Sequence, residues 1–535
     1  MSSTLLGLLS PGEAAENLTT LPPDILDLIF QLLYDAWLVD IHRKFGGPQG
    51  GYARFDYERC QGEFLFALSL SCRHLRAQTM RWIFREVYNW ETSRGRVWPE
   101  SIWPYIKIVN LRDCTGRTSR KLELSLETIR SLPAMLSLVK ATIRLEASIP
   151  SSLLQALSFA PALLRLEIFQ ARFDGEFPSS SCTLPFPCLE TLVISICGFK
   201  AVAGQKDVDR IKQANNVHSL LKAVGSRLSE LRISGDLISQ AFPSLQWSHM
   251  RTFAITEHKP TPYITLSNLV SRMPSLRDLQ VLYTAEVPPD RVAPVFPSFH
   301  LGDSESPSVL TCHLLSTATL GNILPGDPIL VQLPASLRYL HLRAPVDPFD
   351  TEAGFPQNAY FPLNEHALTE ALHQRRYLPY LVELSIDLDS FVTAPLIQQI
   401  ASALPQLEVL ELSLPRFLFV NSPRRFQEKD RDPAILTALN LFPRIRHLRI
   451  TMNFPKPIRD IRRSREVTAR WFLAGMYLVG FETRSWDTWD HTVFDLHWVS
   501  PPPTPPPKDS TGHATWEISE TDGTRVVARG PKVYI

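Results

Sequence analysis

One short unit keeps returning after Trp90, and it constrains this chain more than anything else: a proline or large apolar residue followed by Leu-x-x-Leu-x-Ile, with Leu or Val as a substitute at the end. Clear copies occupy 161–168, 187–194, 228–233, 274–281, 334–342, 379–386, 405–412 and 443–450. Weaker ones run from Ile106 to Leu111, Lys140 to Leu145, Met250 to Ile255 and Leu310 to Leu315. The closing Leu-x-Ile alternation has the period of a strand with one buried side. Amphipathic helical stretches precede many copies, at Leu153–Leu157, Leu266–Met273, Pro395–Leu404 and Pro433–Leu441. The proline that opens a copy cannot continue the helix before it, and it biases its predecessor toward an extended backbone.

A helix–strand unit of about 25 residues cannot bury its own leucines, so it must stack on its neighbours. The expected fold class is therefore α/β: an irregular leucine-rich-repeat solenoid over 91–455, with a parallel sheet on the concave side and helices on the convex side. Strand spacing is uneven, at 26 residues from Leu384 to Leu410, 39 from Leu192 to Leu231 and 44 from Leu340 to Leu384. Loops must therefore be inserted between turns. The asparagine ladder of regular arrays is missing, which leaves an irregular α/β domain as the alternative. In a solenoid, the residues between the buried leucines point outward from the sheet. Here they are Arg165, Glu167, Thr191, Val193, Glu230, Arg232, Asp278 and Gln280, then Tyr339, His341, Arg343, Glu383, Ser385, Asp387, Glu411, His447 and Arg449. Mixed charge with Tyr and Arg suits a protein-binding face. Arg232, Gln280, Tyr339, His341, Arg343, Glu383, Asp387, Glu411 and Arg449 are the candidate client contacts.

The N-terminal stretch Leu18–Val87 has a different character. Leu21-Pro-Pro-Asp-Ile-Leu-Asp-Leu-Ile-Phe-Gln-Leu-Leu33 opens a helix with prolines in its first turn, where amides lack intrahelical partners anyway. Asp24, Asp27, Gln31 and Asp35 form one narrow polar stripe. Almost everything else on that helix is large and apolar. Two more blocks follow, an apolar one over 64–75 and an amphipathic one over 80–87. Modules this small are short of core for their surface, so spare apolar faces point to docking on a partner.

Leu-Pro-x-Asp-Ile-x-x-x-Ile-Phe at 21–30, Leu-x-Leu-x-Cys-Arg-x-Leu-Arg at 68–76 and Trp-Ile-Phe-Arg-Glu-Val at 82–87 together resemble an F-box. The resemblance implies a helical module over 18–90 that binds the Skp-type adaptor of cullin–RING ubiquitin ligases. Its contacts would be Leu21, Pro22, Ile25, Ile29 and Leu33, continued by Leu68, Leu70 and Cys72. Asp24 stands where the family often has Glu. An insertion of about 26 residues, Trp37 to Gly62, separates the first two blocks; its glycine run at 46–51 is flexible and easily lengthened.

Composition narrows the function classes. The 535 residues carry 55 basic and 54 acidic side chains, a formal net charge of +1, so electrostatics favours neither nucleic acid nor an anionic membrane as partner. Seven cysteines without a Cys-x-x-Cys pair suit a reducing compartment. The apolar patch in the 1–17 tail lacks the basic flank of a signal peptide. The longest apolar run, Trp471–Phe481, is too short to span a bilayer. These features predict a soluble protein of the cytoplasm, the nucleus or both.

At 456–500 the arginines 459, 462, 463, 465 and 470 crowd an expected helix running into Trp471–Phe481, and 486–499 reads as closing strands of a cap. A polyproline spacer occupies 501–511. The remainder, 512–535, is expected to form a hairpin turning at Asp522-Gly523. No phosphate loop, zinc-peptidase motif, nucleophile elbow or metal-spaced cysteine set occurs, so no cofactor and no catalytic residue are expected. The resulting reading is a non-catalytic substrate receptor of a ubiquitin ligase. Its rivals are a non-degradative scaffold and an enzyme with a cryptic site on an irregular α/β domain.

Overall fold

The computed structural model describes residues 21–22, 24–32, 69–70, 72–88, 98–112, 126–145, 148–169, 172–173, 184–195, 208–257, 266–283, 312–321, 329, 333–343, 365, 368–369, 372, 378–388, 392–413, 435, 438–439 and 441–455, and the strands at 477–483, 491–499, 517–521 and 525–529. Leu33, Leu68, the 37–62 insertion, the arginines from 459 to 470 and the polyproline stretch lie outside the described residues. The described residues fall into two compact units, up to Ala241 and from Phe242 onward.

In the first unit, helix 24–32 begins as the Leu26 amide donates to the Pro22 carbonyl at 3.0 Å. The Arg73–Ile83 helix is capped by Cys72, whose Sγ accepts from the Leu75 amide at 3.4 Å. Leu26, Phe30 and Leu75 are fully buried between the two helices, with Leu21, Cys72, Trp82 and Ile83 packed against them. The third sequence block was expected to be amphipathic through Val87. Its helix instead ends at Ile83, and Glu86–Tyr88 forms strand β1. The Arg85 carbonyl takes the amides of Lys107 and Ile108, each at 2.9 Å, and this converts the chain from helix to sheet.

Strand β1 starts a parallel sheet that continues through β2 (Ile108–Arg112), β3 (Lys140–Arg144), β5 (Arg165–Phe169), β7 (Thr191–Ser195) and β8 (Glu230–Ser234). A short parallel pair, β4 (Ser148–Ile149) with β6 (Arg172–Phe173), lies outside this ladder. One register row reads Val87, Val109, Ala141, Leu166, Leu192, Leu231, and another Leu111, Ile143, Ile168, Ile194, Ile233; all of these are buried.

The second unit repeats the plan through β9 (Thr252–Glu257), β10 (Asp278–Tyr283), β11 (Thr317–Leu320), β12 (Tyr339–Leu342), β13 (Glu383–Asp387), β14 (Val409–Ser413) and β15 (His447–Pro455). Its core rows are Phe253, Leu279, Ala318, Leu340, Leu384, Leu410, Leu448 and Ile255, Val281, Leu320, Leu342, Ile386, Leu412, Ile450. A third buried row precedes the strands, two residues before each one begins: Leu138, Leu163, Leu189, Leu228, Met250, Leu276, Leu315, Leu337, Leu381 and Leu407. The Leu-x-x-Leu-x-Leu spacing thus lays down three apolar rows, the pattern of a leucine-rich-repeat solenoid built one strand per turn.

Position decides the role of the prolines. Pro161, Pro274, Pro379 and Pro405 sit second in a tight turn whose ends are bonded, as in Ala160 O to Leu163 N and Leu404 O to Leu407 N. Proline's fixed φ suits that position. The copy expected at Leu310–Leu315 is shifted: Leu315 fills the row before the strand, and the strand itself is Thr317–Leu320.

At the C-terminal end the sheet turns antiparallel. β15 pairs with β17 (His491–Val499), β17 with β16 (Tyr477–Thr483), β16 with β19 (Arg525–Arg529) and β19 with β18 (Glu517–Thr521). The hairpin expected around Asp522-Gly523 is therefore joined to the main sheet. The helix expected to run through Phe481 is replaced at Tyr477–Thr483 by a strand, whose Tyr-Leu-Val-Gly-Phe composition suits a ladder with a bulge between Leu478 and Gly480.

On the helical side, Gln213 in the Val208–Val224 helix is buried. It accepts from the Phe173 amide at 2.7 Å and donates to the Phe173 carbonyl at 3.1 Å. Removing this amide strands both backbone groups of β6 in the interior. Gln213→Ala should therefore cost about 1–3 kcal/mol in urea unfolding; an unchanged midpoint would show that water replaces the amide freely.

Candidate functional site

Two surfaces carry functional promise, one on each unit. On the first, helix 24–32 buries Leu26 and Phe30, and Asp27 and Gln31 beside them reach the chain at 81–85, while Asp24 stays exposed. The Asp27 carboxylate accepts from Arg81 at 3.2 Å and from the Trp82 indole at 3.4 Å, and Gln31 accepts from Arg85 at 3.4 Å. The Arg85 guanidinium also lies 5.1 Å from the centroid of the Trp82 ring. Three large apolar residues of the same helix remain in solvent: Ile25 is 40% exposed, Leu28 55% and Leu32 59%. Leu70, just ahead of the second helix, is 63% exposed.

The sequence-predicted adaptor contacts divide accordingly. Pro22 and Ile25 are exposed, Ile29 is half-buried and Leu70 is exposed. Leu21 and Cys72 pack against the module's own core. Leu33 and Leu68 fall outside the described residues. Leu28 and Leu32 were missed, although they follow Ile25 at three and seven positions, the spacing of one helix face.

The outward face of the first unit's sheet is knitted together by charge. The Glu167 carboxylate receives Arg165 Nε at 2.6 Å, Lys140 Nζ at 2.9 Å and the Thr142 hydroxyl at 3.2 Å. Glu230 pairs with Arg232 at 2.8 Å and with Arg165 at 3.7 Å. At the edge, Glu86 accepts from Tyr88 at 2.8 Å and Asn110 at 2.5 Å. Burial pushes the Glu167 carboxyl upward, but the hydrogen bonds and charges of Lys140 and Arg165 outweigh it and hold the group below the ordinary carboxylate value.

The second unit carries the other surface. Tyr339, His341, Arg343, Glu383, Asp387, Glu411 and Arg449 come together on β12 to β15 and at their ends. Gln280 lies two strands away, donating to Asp278 at 2.9 Å, and Arg232 belongs to the first unit. Arg343 donates to both Glu411 and the Ser385 hydroxyl at 3.2 Å, and Ser385 donates to Glu411 at 3.1 Å. Ser413 donates to Asp387. The ion pair that Glu383 forms among the described residues is with His341 Nε2, at 3.6 Å. Burial and the neighbouring Glu411 carboxylate raise the Glu383 pKa against the pull of Arg343 and His447. Burial and Arg343 lower that of His341 against the pull of Glu411.

Among the described residues, no group of three or more His, Cys, Asp or Glu is placed to hold a metal ion, and no helix is long and apolar enough to cross a membrane. These surfaces are equipped to bind, with charge and apolar side chains in place.

No family model matches the chain, and no curated protein does. Among solved structures, an internalin from Listeria monocytogenes is similar over 65% of this chain and 92% of its own, at 11% identity and a TM-score of 0.28. A complex of TLR13 with ssRNA13 covers 66% and 55%, at 14% identity and 0.29. The yeast Rad7–Elc1 complex covers 77% and 90%, at 14% identity and 0.31. The repeat assignment rests on the strand register itself.

Glu167 gives this face a signature in acid. Its folded pKa is depressed, so its contribution to stability is complete above the unfolded carboxylate value and disappears as pH falls through the folded one. Between about pH 5 and pH 3, the wild-type urea midpoint should therefore fall more steeply than that of Glu167→Gln. Parallel profiles would mean that Lys140 and Arg165 do not stabilise the ionised form.

Proposed function

We propose that this chain is the substrate-recognition subunit of an SCF-type cullin–RING ubiquitin ligase, acting in the cytoplasm, the nucleus or both. On this reading it performs no chemistry. Its N-terminal helices dock on a Skp-type adaptor and through it on a cullin, while the outward face of the repeat sheet holds a client protein. A client held on the same scaffold as a ubiquitin-charged enzyme meets it at high effective concentration, which is how a binding subunit accelerates a transfer it does not catalyse.

The observation that carries the reading is the set of exposed aliphatic side chains on helix 24–32. Its carboxylate and amide are spent on Arg81, Trp82 and Arg85, and Ile25, Leu28 and Leu32 are left in water. An exposed aliphatic stripe on a small module costs free energy unless a partner covers it, and the motif around it resembles an adaptor-binding one.

The test is capture of purified Skp-type adaptor by the full chain, wild type against an Ile25→Asp/Leu28→Asp variant. Both side chains are exposed, so the variant should keep its unfolding midpoint and lose roughly thirtyfold or more in affinity. Equal capture by both proteins would place the adaptor elsewhere, and no capture by either would remove the ligase reading.

A further inference from the structure

Building on the client-receptor reading, we propose that the second unit's sheet face takes its client by a lysine or arginine side chain seated on Glu383. The argument starts from how the other carboxylates of the described sheet faces are satisfied. Glu167 has Lys140 and Arg165, Glu230 has Arg232 and Arg165, Glu411 has Arg343 and Ser385, Glu86 has Tyr88 and Asn110, and Asp387 has Ser413. Glu383 is the exception. Its neighbour His341 stands at 3.6 Å, beyond a good hydrogen bond. Arg343 and His447 both act on it through charge, but Arg343 is already committed to Glu411 and Ser385.

The surroundings of this carboxylate define what would complete it. In register, Glu383 lies between Tyr339 on β12 and Val409 on β14, both half-buried. A charged head flanked by an aromatic ring and an aliphatic side chain complements a long cationic side chain. The methylene stem of Lys or Arg lies along Tyr339 and Val409, and the ammonium or guanidinium meets the carboxylate. A neutral donor would leave a partly desolvated charge uncompensated. An acidic segment would meet Glu383, Asp387 and Glu411 together. The raised pKa of Glu383 has the same origin, burial beside a second carboxylate. A cation relieves both.

The experiment pans a random peptide library displayed on phage against the immobilised full chain, in parallel with Glu383→Gln. Peptides retained by wild type should be enriched in Lys or Arg at one position. The synthetic peptide should weaken roughly tenfold or more when that residue becomes norleucine, and by a similar factor on Glu383→Gln. Glu383→Gln removes a charge that burial disfavours, so its unfolding midpoint should not fall, and Glu383→Lys should turn the selection toward acidic peptides. A library with no basic enrichment, or peptides held equally by wild type and Glu383→Gln, overturns the proposal. Adaptor capture is read separately on the same proteins. Absence of basic enrichment on wild type, or equal peptide binding by wild type and Glu383→Gln, with adaptor capture intact sinks this site alone. Basic-peptide capture without adaptor binding sinks the ligase reading and leaves the site standing.

Discussion

The repeat sheet depends on one recurring hydrogen-bond arrangement. At the start of each turn, two consecutive amides converge on a single carbonyl of the turn before. Lys107 and Ile108 donate to Arg85, Val139 and Lys140 to Lys107, Leu164 and Arg165 to Val139, and Glu190 and Thr191 to Leu164. The second unit does the same, with Arg277 and Asp278 on Arg251, Ser316 and Thr317 on Arg277, Val382 and Glu383 on Arg338, and Glu408 and Val409 on Val382. Each clasp fixes the register at the mouth of the strand, immediately after a buried leucine and the tight turn before it. A one-residue slip would turn the apolar rows to solvent and break the clasp together. The connector behind the turn is then free to vary. Ala318 and Leu340 are 22 residues apart and Leu340 and Leu384 are 44, yet both pairs stand in register. Longer loops cost little closure entropy when their ends are held this firmly.

Parallel stacking has a second consequence. Outward side chains at equivalent positions on adjacent strands sit one strand spacing apart, about 4.8 Å. In the first unit Lys140 and Arg165 share a register position, and Glu167, two residues along the strand from Arg165, meets both cations, while Glu230 is met by Arg232 of its own strand and by Arg165. In the second unit Arg343 meets Glu411 at 3.2 Å, whereas Glu383 has His341 at 3.6 Å.

How far this was legible follows from where the information lies. The buried rows are local: alternation alone placed Leu166 and Ile168, Leu410 and Leu412, and Leu448 and Ile450 on one face, and the outward set followed from the same count. The prolines were read as helix stops, whereas their turn position became visible only through bonds such as Ala160 O to Leu163 N. Tyr477–Thr483 shows how a short apolar run is ambiguous between helix and strand until its partner, His491–Val499, is known. The polar stripe of helix 24–32 was recognised correctly as a stripe, but its direction depends on Arg81, Trp82 and Arg85, some fifty positions away. Period gives a helix its two faces. Only the tertiary partner decides which of them is wet.

That partner also joins the helical module to the first unit's sheet. Arg85 follows the Arg73–Ile83 helix after a single residue, Phe84, and does three things at once. Its guanidinium reaches Gln31 and lies over Trp82, its chain leads directly into β1, and its carbonyl receives the first clasp of the sheet. No linker intervenes between the helical module and the repeats, so the exposed stripe of Ile25, Leu28 and Leu32 is oriented by the same residue that sets the first register of the sheet. The helical module borrows rigidity from the sheet, which a small core of Leu26, Phe30 and Leu75 would not supply alone. A border between module and repeats drawn at Phe84–Arg85 would cut through the contact on which both depend.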